Sequence, residues 1–373
     1  MPNVEIKTVN TNRERLRFIK MPWPIYKNDP HWVPPIIADQ KSFINPKKGV
    51  FFEHGKAKLF LAIRDGKPVG RISAHINTLH DEIYNDGKGF FGFFECENNQ
   101  ETADMLFRAA EHYLKSQNRK FVEGPMSFGI YDEIGLLVDG FDTDPYVLNV
   151  HNPEYYQKLV ENAGYKKSVD WYAYRGATNQ KVDEKMYQFK DRVMKQPGLT
   201  IRKIYPHENF KRDAAIVKHI FSTAWNKNWG HVPLTDSEFN RIAKELTRLV
   251  VPDLSFIAEI NGQAIGFALS IYDANVAVKK INGRLFPVGF IKLLTNLKKT
   301  DRFRHILMGV LEEYRSRGIE IAFYVNIAEQ AYKLGFSEIE MSLIVENNEP
   351  MRNSLKHLPV EIYKTYRIYT KDL

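Results

Sequence analysis

The run Arg315-Ser316-Arg317-Gly318-Ile319 carries the clearest chemistry in the chain. The apolar stretch before it, Ile306-Leu307-Met308-Gly309-Val310-Leu311, reads as a buried strand. After it, Ile319, Ala322, Phe323, Val325, Ile327, Ala328, Ala331 and Tyr332 recur at helical spacing. A strand, a glycine-containing turn and a helix start form an anion cradle, because the unpaired N–H groups of the first turn and the helix dipole both face the ligand. Arg315 and Arg317 add positive charge. Acids make a second group of candidates. Glu95 closes the apolar run Phe93-Phe94-Glu95, and Asp132-Glu133 precede Ile134-Gly135-Leu136-Leu137. Apolar surroundings raise a carboxyl pKa towards neutrality, which suits a general base. The plainer alternative for each is a solvated loop acid. His54, in Phe51-Phe52-Glu53-His54, titrates in the useful range, against the alternative of a structural or surface histidine.

The elements that must position these residues fall into two similar halves. In the first, Val4–Val9 alternates as a strand, and Thr11 or Asn12 caps a short helix. Met21–Phe43 contains five prolines together with Trp23, Tyr26 and Trp32. It reads as an irregular arm packed on the core, or as one wall of a substrate cleft. Lys58–Arg64 and Pro68–Ile76 flank the hairpin signal Asp65-Gly66. A strand over 90–95, a helix over 100–116 and a strand over 121–124 follow. After an insert come a helix over 155–163, with Pro153 at its start, and an aromatic strand over 169–175. Residues 179–198 are polar, helical from Asp183 to Met194, and read as a linker. The second half gives a strand over 199–205, helices over 210–225 and 236–249 (Asp236 or Ser237 near the cap), and the hairpin signal Asn261-Gly262. Ala62, Gly66 and Gly70 match Ala258, Gly262 and Gly266 at the same spacing. A duplicated mixed α/β unit is therefore expected, with domains over 1–178 and 199–373.

Composition narrows the function classes. With 373 residues, 43% hydrophobic and 26% charged, the chain has ample core for a globular protein. The net charge of +8 suits an anionic ligand or an acidic membrane surface. The basic residues are dispersed and form no nucleic-acid motif, so no nucleic-acid partner is expected. A lone Cys96 gives no disulfide framework and fits a reducing compartment. No run reaches the roughly 18–20 apolar residues of a spanning helix, and Met1–Phe18 lacks a signal-peptide apolar core, so a cytoplasmic chain is expected. The histidines are scattered without zinc spacing, and no metal is expected.

The loop, the hairpins and the element order resemble the GNAT family of acyl-CoA-dependent N-acyltransferases, over most of both halves. The resemblance implies two tandem units, each a mixed, mostly antiparallel sheet flanked by helices. It implies acyl-CoA as substrate, with Arg315, Ser316, Arg317, Gly318 and Ile319 around its pyrophosphate. A splayed strand, through Met308, Val310 and Leu311, would offer a backbone N–H to the acyl carbonyl. An amine would attack the thioester, with Glu95 or Glu133 as base and a tyrosine as acid to the thiolate. Three departures stand out. Glu320 occupies a position where the family prefers Gly or Ala. The first half has Glu97-Asn98-Asn99-Gln100-Glu101-Thr102 at the loop position, with no glycine and no basic residue. Leu355 stands near the tyrosine position of the second half, in Asn347–Leu355, leaving Asn348 as a candidate there. In the first half Asn152 and Tyr155-Tyr156 lie closer to the pattern, which makes Tyr156 the candidate acid.

One stretch fits neither scaffold. Residues 285–299 are dense in apolar side chains (Leu285, Phe286, Val288, Phe290, Ile291, Leu293, Leu294, Leu297) flanked by Lys292, Lys298, Lys299 and Arg302. They read as an extra buried helix or homodimer surface, or as a greasy lid touching acyl chain or the inner membrane face. The sequence thus implies an acyl-CoA N-acyltransferase with a small-molecule amine acceptor. Its alternatives are a long-chain enzyme acting on a lipid amine, as ceramide-forming GNAT-like enzymes do, and a non-catalytic coenzyme A or lipid binder on the same fold.

Overall fold

The computed structural model describes residues 3–205, 208–226, 228–287, 289–297 and 299–373. The chain forms two compact units. One holds Met1–Trp171, Ala277–Leu293 and Lys364–Leu373, the other Tyr172–Val276 and Leu294–Tyr363.

The elements begin with β1 (Glu5–Thr8), α1 (Asn12–Lys20), α2 (Pro22–Ile25), α3 (Ile37–Phe43), β2 (Gly55–Arg64), β3 (Lys67–Asn77), α4 (Thr78–Tyr84) and β4 (Lys88–Cys96). They continue with α5 (Gln100–Ser116), β5 (Phe121–Gly124), β6 (Leu136–Asp139), α6 (Tyr155–Asn162) and β7 (Lys166–Ala177). Next come α7 (Glu184–Met194), β8 (Leu199–Lys203), α8 (Phe210–Ala224), α9 (Asp236–Thr247), β9 (Phe256–Ile260), β10 (Gln263–Tyr272) and α10 (Asn275–Val278). The last are α11 (Gly289–Leu297), β11 (Arg302–Val310), α12 (Ile319–Lys333), β12 (Glu338–Val345), α13 (Glu349–Leu355) and β13 (Glu361–Asp372). The fold is the expected mixed α/β one, a mostly antiparallel sheet flanked by helices in each unit.

In the first unit the strand order is β1-β2-β3-β4-β5-β13, with β6 also on β13. In the second it is β7-β12-β11-β10-β9-β8. The duplication holds at the level of register. Asp65 and Gly66 have φ of 51° and 74°, and Asn261 and Gly262 have 50° and 81°, so the same tight turn joins β2 to β3 and β9 to β10. Ala62 pairs with Gly70, and Ala258 with Gly266. Each unit then carries one parallel pair that parts early. β4 and β5 pair only over Lys88–Phe90 and Phe121–Glu123, although β4 runs on to Cys96. β11 and β12 pair only over Arg302–His305 and Glu338–Met341, although they run on to Val310 and Val345. Both splayed ends lie beyond these short ladders.

Local chemistry fixes the helix starts. Thr11 and Glu14 form a capping box on α1. The cap of α9 is Thr235, boxed with Glu238, rather than Asp236 or Ser237. Thr at the cap with Glu three residues on satisfies two orphan donors at once. Pro153 does not begin α6. Its neighbour Asn152 is bonded instead to the Leu137 backbone, accepting its N–H at 2.7 Å and donating to its carbonyl at 3.1 Å. Within 179–198, α7 buries Met186 and Val193 in the second unit, Val193 in the cluster of Phe256, Ile265, Phe303, Ile319 and Phe323. No helix of the described residues is long and apolar enough to cross a membrane.

The core of the first unit gathers Phe91, Phe94, Leu106, Phe107 and Tyr156 around Tyr369, from the far end of the chain. Tyr369 is 1% exposed, faces Gly124 across the β13–β5 ladder and donates to Glu161 at 3.0 Å. Tyr369→Ala removes a packed ring and leaves a cavity. It should lower stability by about 3–5 kcal/mol, read as a fall in the urea midpoint monitored by first-unit tryptophans.

Candidate active site

Glu95 lies on the splayed end of β4, where the next strand no longer covers it. Its side chain is 13% exposed, and three neighbours hold it. Oε2 accepts from the phenols of Tyr26 at 2.8 Å and Tyr156 at 2.7 Å, and Oε1 faces Arg71 at 3.5 Å. Burial raises the carboxyl pKa, and Arg71 and the two phenols only partly offset it. Glu133 adds to the rise, and its own pKa is raised by burial against the pull of Arg71. Arg71 in turn donates to the Phe18 carbonyl at 3.0 Å and lies over the Phe18 ring.

Tyr156 does two things. It donates to Glu95 and accepts the Cys96 N–H at 2.9 Å, while Tyr155 donates to the Cys96 carbonyl at 2.8 Å. Burial and the nearby Glu95 charge push the Tyr156 pKa well up, so the phenol keeps its proton. The Tyr26 hydroxyl also reaches the His151 carbonyl at 3.2 Å. Beyond it, His151 Nε2 pairs with Asp29 at 2.9 Å and His31 with Asp144 at 2.8 Å. Lys279 completes the chain on Asp144 at 2.6 Å.

In the second unit the run 315–319 is a strand–turn–helix, as expected. Ser316 and Gly318 take φ of 66° and 80°, and Gly318 is the N-cap of α12. A Cβ there would stand 2.2 Å from the Phe189 ring, so α7 as well as φ demands glycine. Arg315 is engaged by backbone, donating to Val310 at 3.2 Å and Ala224 at 2.8 Å. Glu320 has its pKa raised by burial, countered by its own N–H and by Arg315. Just past β11, the Leu311 N–H bonds to Ile265 on the β10 side at 2.9 Å, while on β11 the Met308 carbonyl accepts from Trp225 at 3.1 Å. Strand alternation puts the N–H of Val310 on the same side as that carbonyl, towards the opened end.

Glu95, Glu133 and Tyr156 therefore come together, from positions far apart in the chain. Asn348 lies in the other unit, where its side chain caps α13 by accepting the Met351 N–H at 3.2 Å. Leu355 is buried in the second core and offers no proton. His54 sits on Asn77 at 3.2 Å. Cys96 is buried and its thiol pKa is pushed up, which leaves it a poor nucleophile. Among the described residues no group of three His, Cys, Asp or Glu could hold a metal ion. Sequence reasoning missed Tyr26, Arg71, Asp29 and His151. Only the aromatic, proline-rich arm around Tyr26 gave a signal, as a wall of a cleft. In the 285–299 stretch, Phe286, Phe290 and Ile291 are 89%, 52% and 62% exposed. Val288, Lys298 and the Leu294 side chain lie outside the described residues.

No family model matches the chain. It is 34% identical to the bacterial ceramide synthase of Caulobacter vibrioides over 379 aligned residues, covering 100% of this chain and 98% of that protein. It is also 34% identical to protein YghO of Escherichia coli, covering 99% and 95%. Among solved structures, a tandem GNAT protein from the clavulanic acid biosynthesis pathway superposes with a TM-score of 0.59 at 11% identity, over 99% of this chain and 98% of that one. The last comparison speaks for the fold alone. Two tandem units with the same splayed strand pair, together with full-length identity to a curated relative, fix the assignment: the chain belongs to the bacterial ceramide synthase family, on a tandem GNAT fold.

Proposed function

We propose that the protein is an acyl-CoA-dependent N-acyltransferase whose acceptor is a lipid amine. The observation that carries this reading is the 34% identity, over the whole of both chains, to a relative named for making ceramide. The reaction joins an ammonium and a thioester to give an amide, free coenzyme A and one proton. A C–N bond forms, the C–S bond breaks, and the leaving sulfur takes a proton.

Residue roles follow from the chemistry that each group can do. The Arg315–Ile319 turn, with Ser316, Arg317 and Gly318, would hold the pyrophosphate through backbone N–H groups and the helix dipole. Arg315 acts there mainly by fixing the turn, since backbone carbonyls already engage it. In the second unit the Val310 N–H, between Met308 and Leu311, is the donor suited to an acyl carbonyl. Taken by itself, the first unit offers Tyr156, a phenol suited to protonate a departing sulfur. Glu95 and Glu133, with raised pKa values, are suited to accept the proton from the attacking nitrogen once the C–N bond has formed. Asn348 is read as a support for α13. A lipid acceptor also accounts for Phe286, Phe290 and Ile291, which α11 and its approach expose beside Lys280, Arg284 and Lys292. We place peripheral contact with an anionic membrane surface there.

A second reading, a non-catalytic coenzyme A or lipid binder, draws on Glu320 beside the turn and on the absence of a tyrosine at Leu355. Thiol release separates the two. With palmitoyl-CoA and a long-chain 2-amino-1,3-diol, the wild-type protein should release free thiol, and Tyr156→Phe should lower kcat by about 10²–10⁴-fold with KM for the donor unchanged. Tight donor binding without thiol release would favour the binder. Ser316→Asp keeps a residue tolerant of positive φ and adds a negative charge. It should weaken coenzyme A binding at least about tenfold in calorimetry, and unchanged affinity would remove the turn from the site. Vesicles containing anionic lipid should co-sediment with the protein, and a Phe286→Ser, Ile291→Ser double variant should stay in the supernatant.

A further inference from the structure

One proton is left unassigned by these roles. An aliphatic ammonium has a pKa near that of lysine, about 10.4, and cannot attack until it loses a proton. The proton lost after C–N bond formation is a different one, and it ends on sulfur. The roles above commit Glu95, Glu133 and Tyr156 to that second proton, and no group is assigned to the first.

The first unit holds an orienter–base pair next to that cluster. Asp29 is fixed from two sides: Oδ1 accepts the His31 backbone N–H at 2.8 Å, and Oδ2 faces His151 Nε2 at 2.9 Å. A carboxylate partner puts the hydrogen on Nε2 and leaves Nδ1 as a lone pair. The His151 side chain is 3% exposed, and its Nδ1 is buried without a hydrogen-bond partner. A buried acceptor without a donor is costly, and an incoming N–H would satisfy it. The Tyr26 hydroxyl lies within hydrogen-bond reach of both the His151 carbonyl and Glu95, which sets the pair beside the acid–phenol cluster. The groups facing the imidazole are Asp29 and His31 from the arm, the Tyr26 ring at 6.4 Å, and the ammonium of Lys364 from β13. Burial lowers the His151 pKa despite Asp29, and the bonds from His31 and His151 hold Asp29 below the usual carboxylate range. The ring is therefore neutral at pH 7, ready to accept a proton, with a carboxylate beside it to stabilise the imidazolium that results.

Building on the acyltransferase reading, we propose that His151 Nδ1 takes the first proton of the acceptor ammonium, with Asp29 as its positioning residue. The N–H bond breaks and its electron pair stays on nitrogen, which attacks the thioester carbon. The second proton leaves that nitrogen through the Glu95–Tyr156 pair to sulfur, and the imidazolium returns its proton to water.

The test uses the full chain and a soluble 2-amino-1,3-diol with an eight-carbon tail. At pH 7, His151→Gln should lower kcat/KM for the amine at least about 100-fold. At pH 10, where much of the amine is already free, the loss should shrink to within about tenfold. Asp29→Asn, at a partly exposed position, should give a smaller loss with the same recovery at high pH. A loss that is the same at both pH values, or none at pH 7, overturns the proposal. Without acyl-CoA, the same amine should shift the His151 Nδ1 resonance in ¹⁵N spectra of imidazole-labelled protein, and an unmoved resonance overturns the proposal independently of turnover. A shifted resonance in a protein that releases no thiol leaves the amine site standing and removes the acyltransferase reading.

Discussion

A carboxylate leaves water only if other groups replace its hydration, and Glu95 shows what that requirement organises. Its three partners come from three elements: Tyr26 at the end of α2, Arg71 on β3 and Tyr156 on α6. Arg71 extends the constraint to α1 through the Phe18 carbonyl and ring. Tyr156 extends it to the strand backbone through Cys96, and Tyr26 to the His151 segment. Removing the carboxylate would take an acceptor from both phenols and the counter-charge from Arg71. The geometry of the first unit's splayed end therefore depends on one acid, and its raised pKa is the electrostatic signature of that burial.

The two units use the same scaffold position in opposite ways. Gly70 pairs with Cys96 on β4 as Gly266 pairs with Val310 on β11. The next N–H binds back in both, Glu97 to Val69 and Leu311 to Ile265, each at 2.9 Å. Cys96 and Val310 are thus equivalent, and each turns its N–H to the opened side. In the first unit the Tyr156 hydroxyl receives that N–H. In the second, α13 contains no tyrosine and buries Leu355 in the core, and the glycine turn at Gly318 is present. One copy carries the glycine turn at a helix start, and the other gathers titratable side chains. Duplication relaxes the demand that one copy do both.

Much of this was legible in the sequence because it is local. The hairpin turns, the paired Ala and Gly positions and the strand–turn–helix at 306–332 are set by residues within a few places of one another. Glu95 stands out by its apolar neighbours, Glu133 by the run that follows it, and Tyr156 by the resemblance to the family pattern. What escaped was non-local. Tyr26 lies 69 residues from Glu95, and Asp29 lies 122 from His151, so no spacing rule could pair them. The arm around Tyr26 was visible only as an irregular, aromatic stretch. Asn348 was singled out by its place in the chain, but its side chain is drawn to the free N–H groups of α13, the ordinary use of Asn at a helix start. Thr235 was passed over for Asp236 because a capping box shows only when the residue three positions on is read with the cap.

The acid beside the anion cradle is explained by the same balance of charge. At the start of α12, Glu320 sits among helix N–H groups, and its own N–H and Arg315 favour its charged form while burial opposes it. With no other anion present, that carboxylate answers the positive end of the helix dipole. A bound pyrophosphate would reverse its situation, because two anions would then share one set of donors. The cheaper outcome is protonation of the glutamate, whose raised pKa already leans that way. By linkage, an anion held at this turn would bind more tightly as pH falls and would take up a proton as it binds. A glycine or alanine at 320 would remove the competition and the pH dependence with it. Glu320 is thus compatible with an anion site, at the cost of coupling that site to a proton.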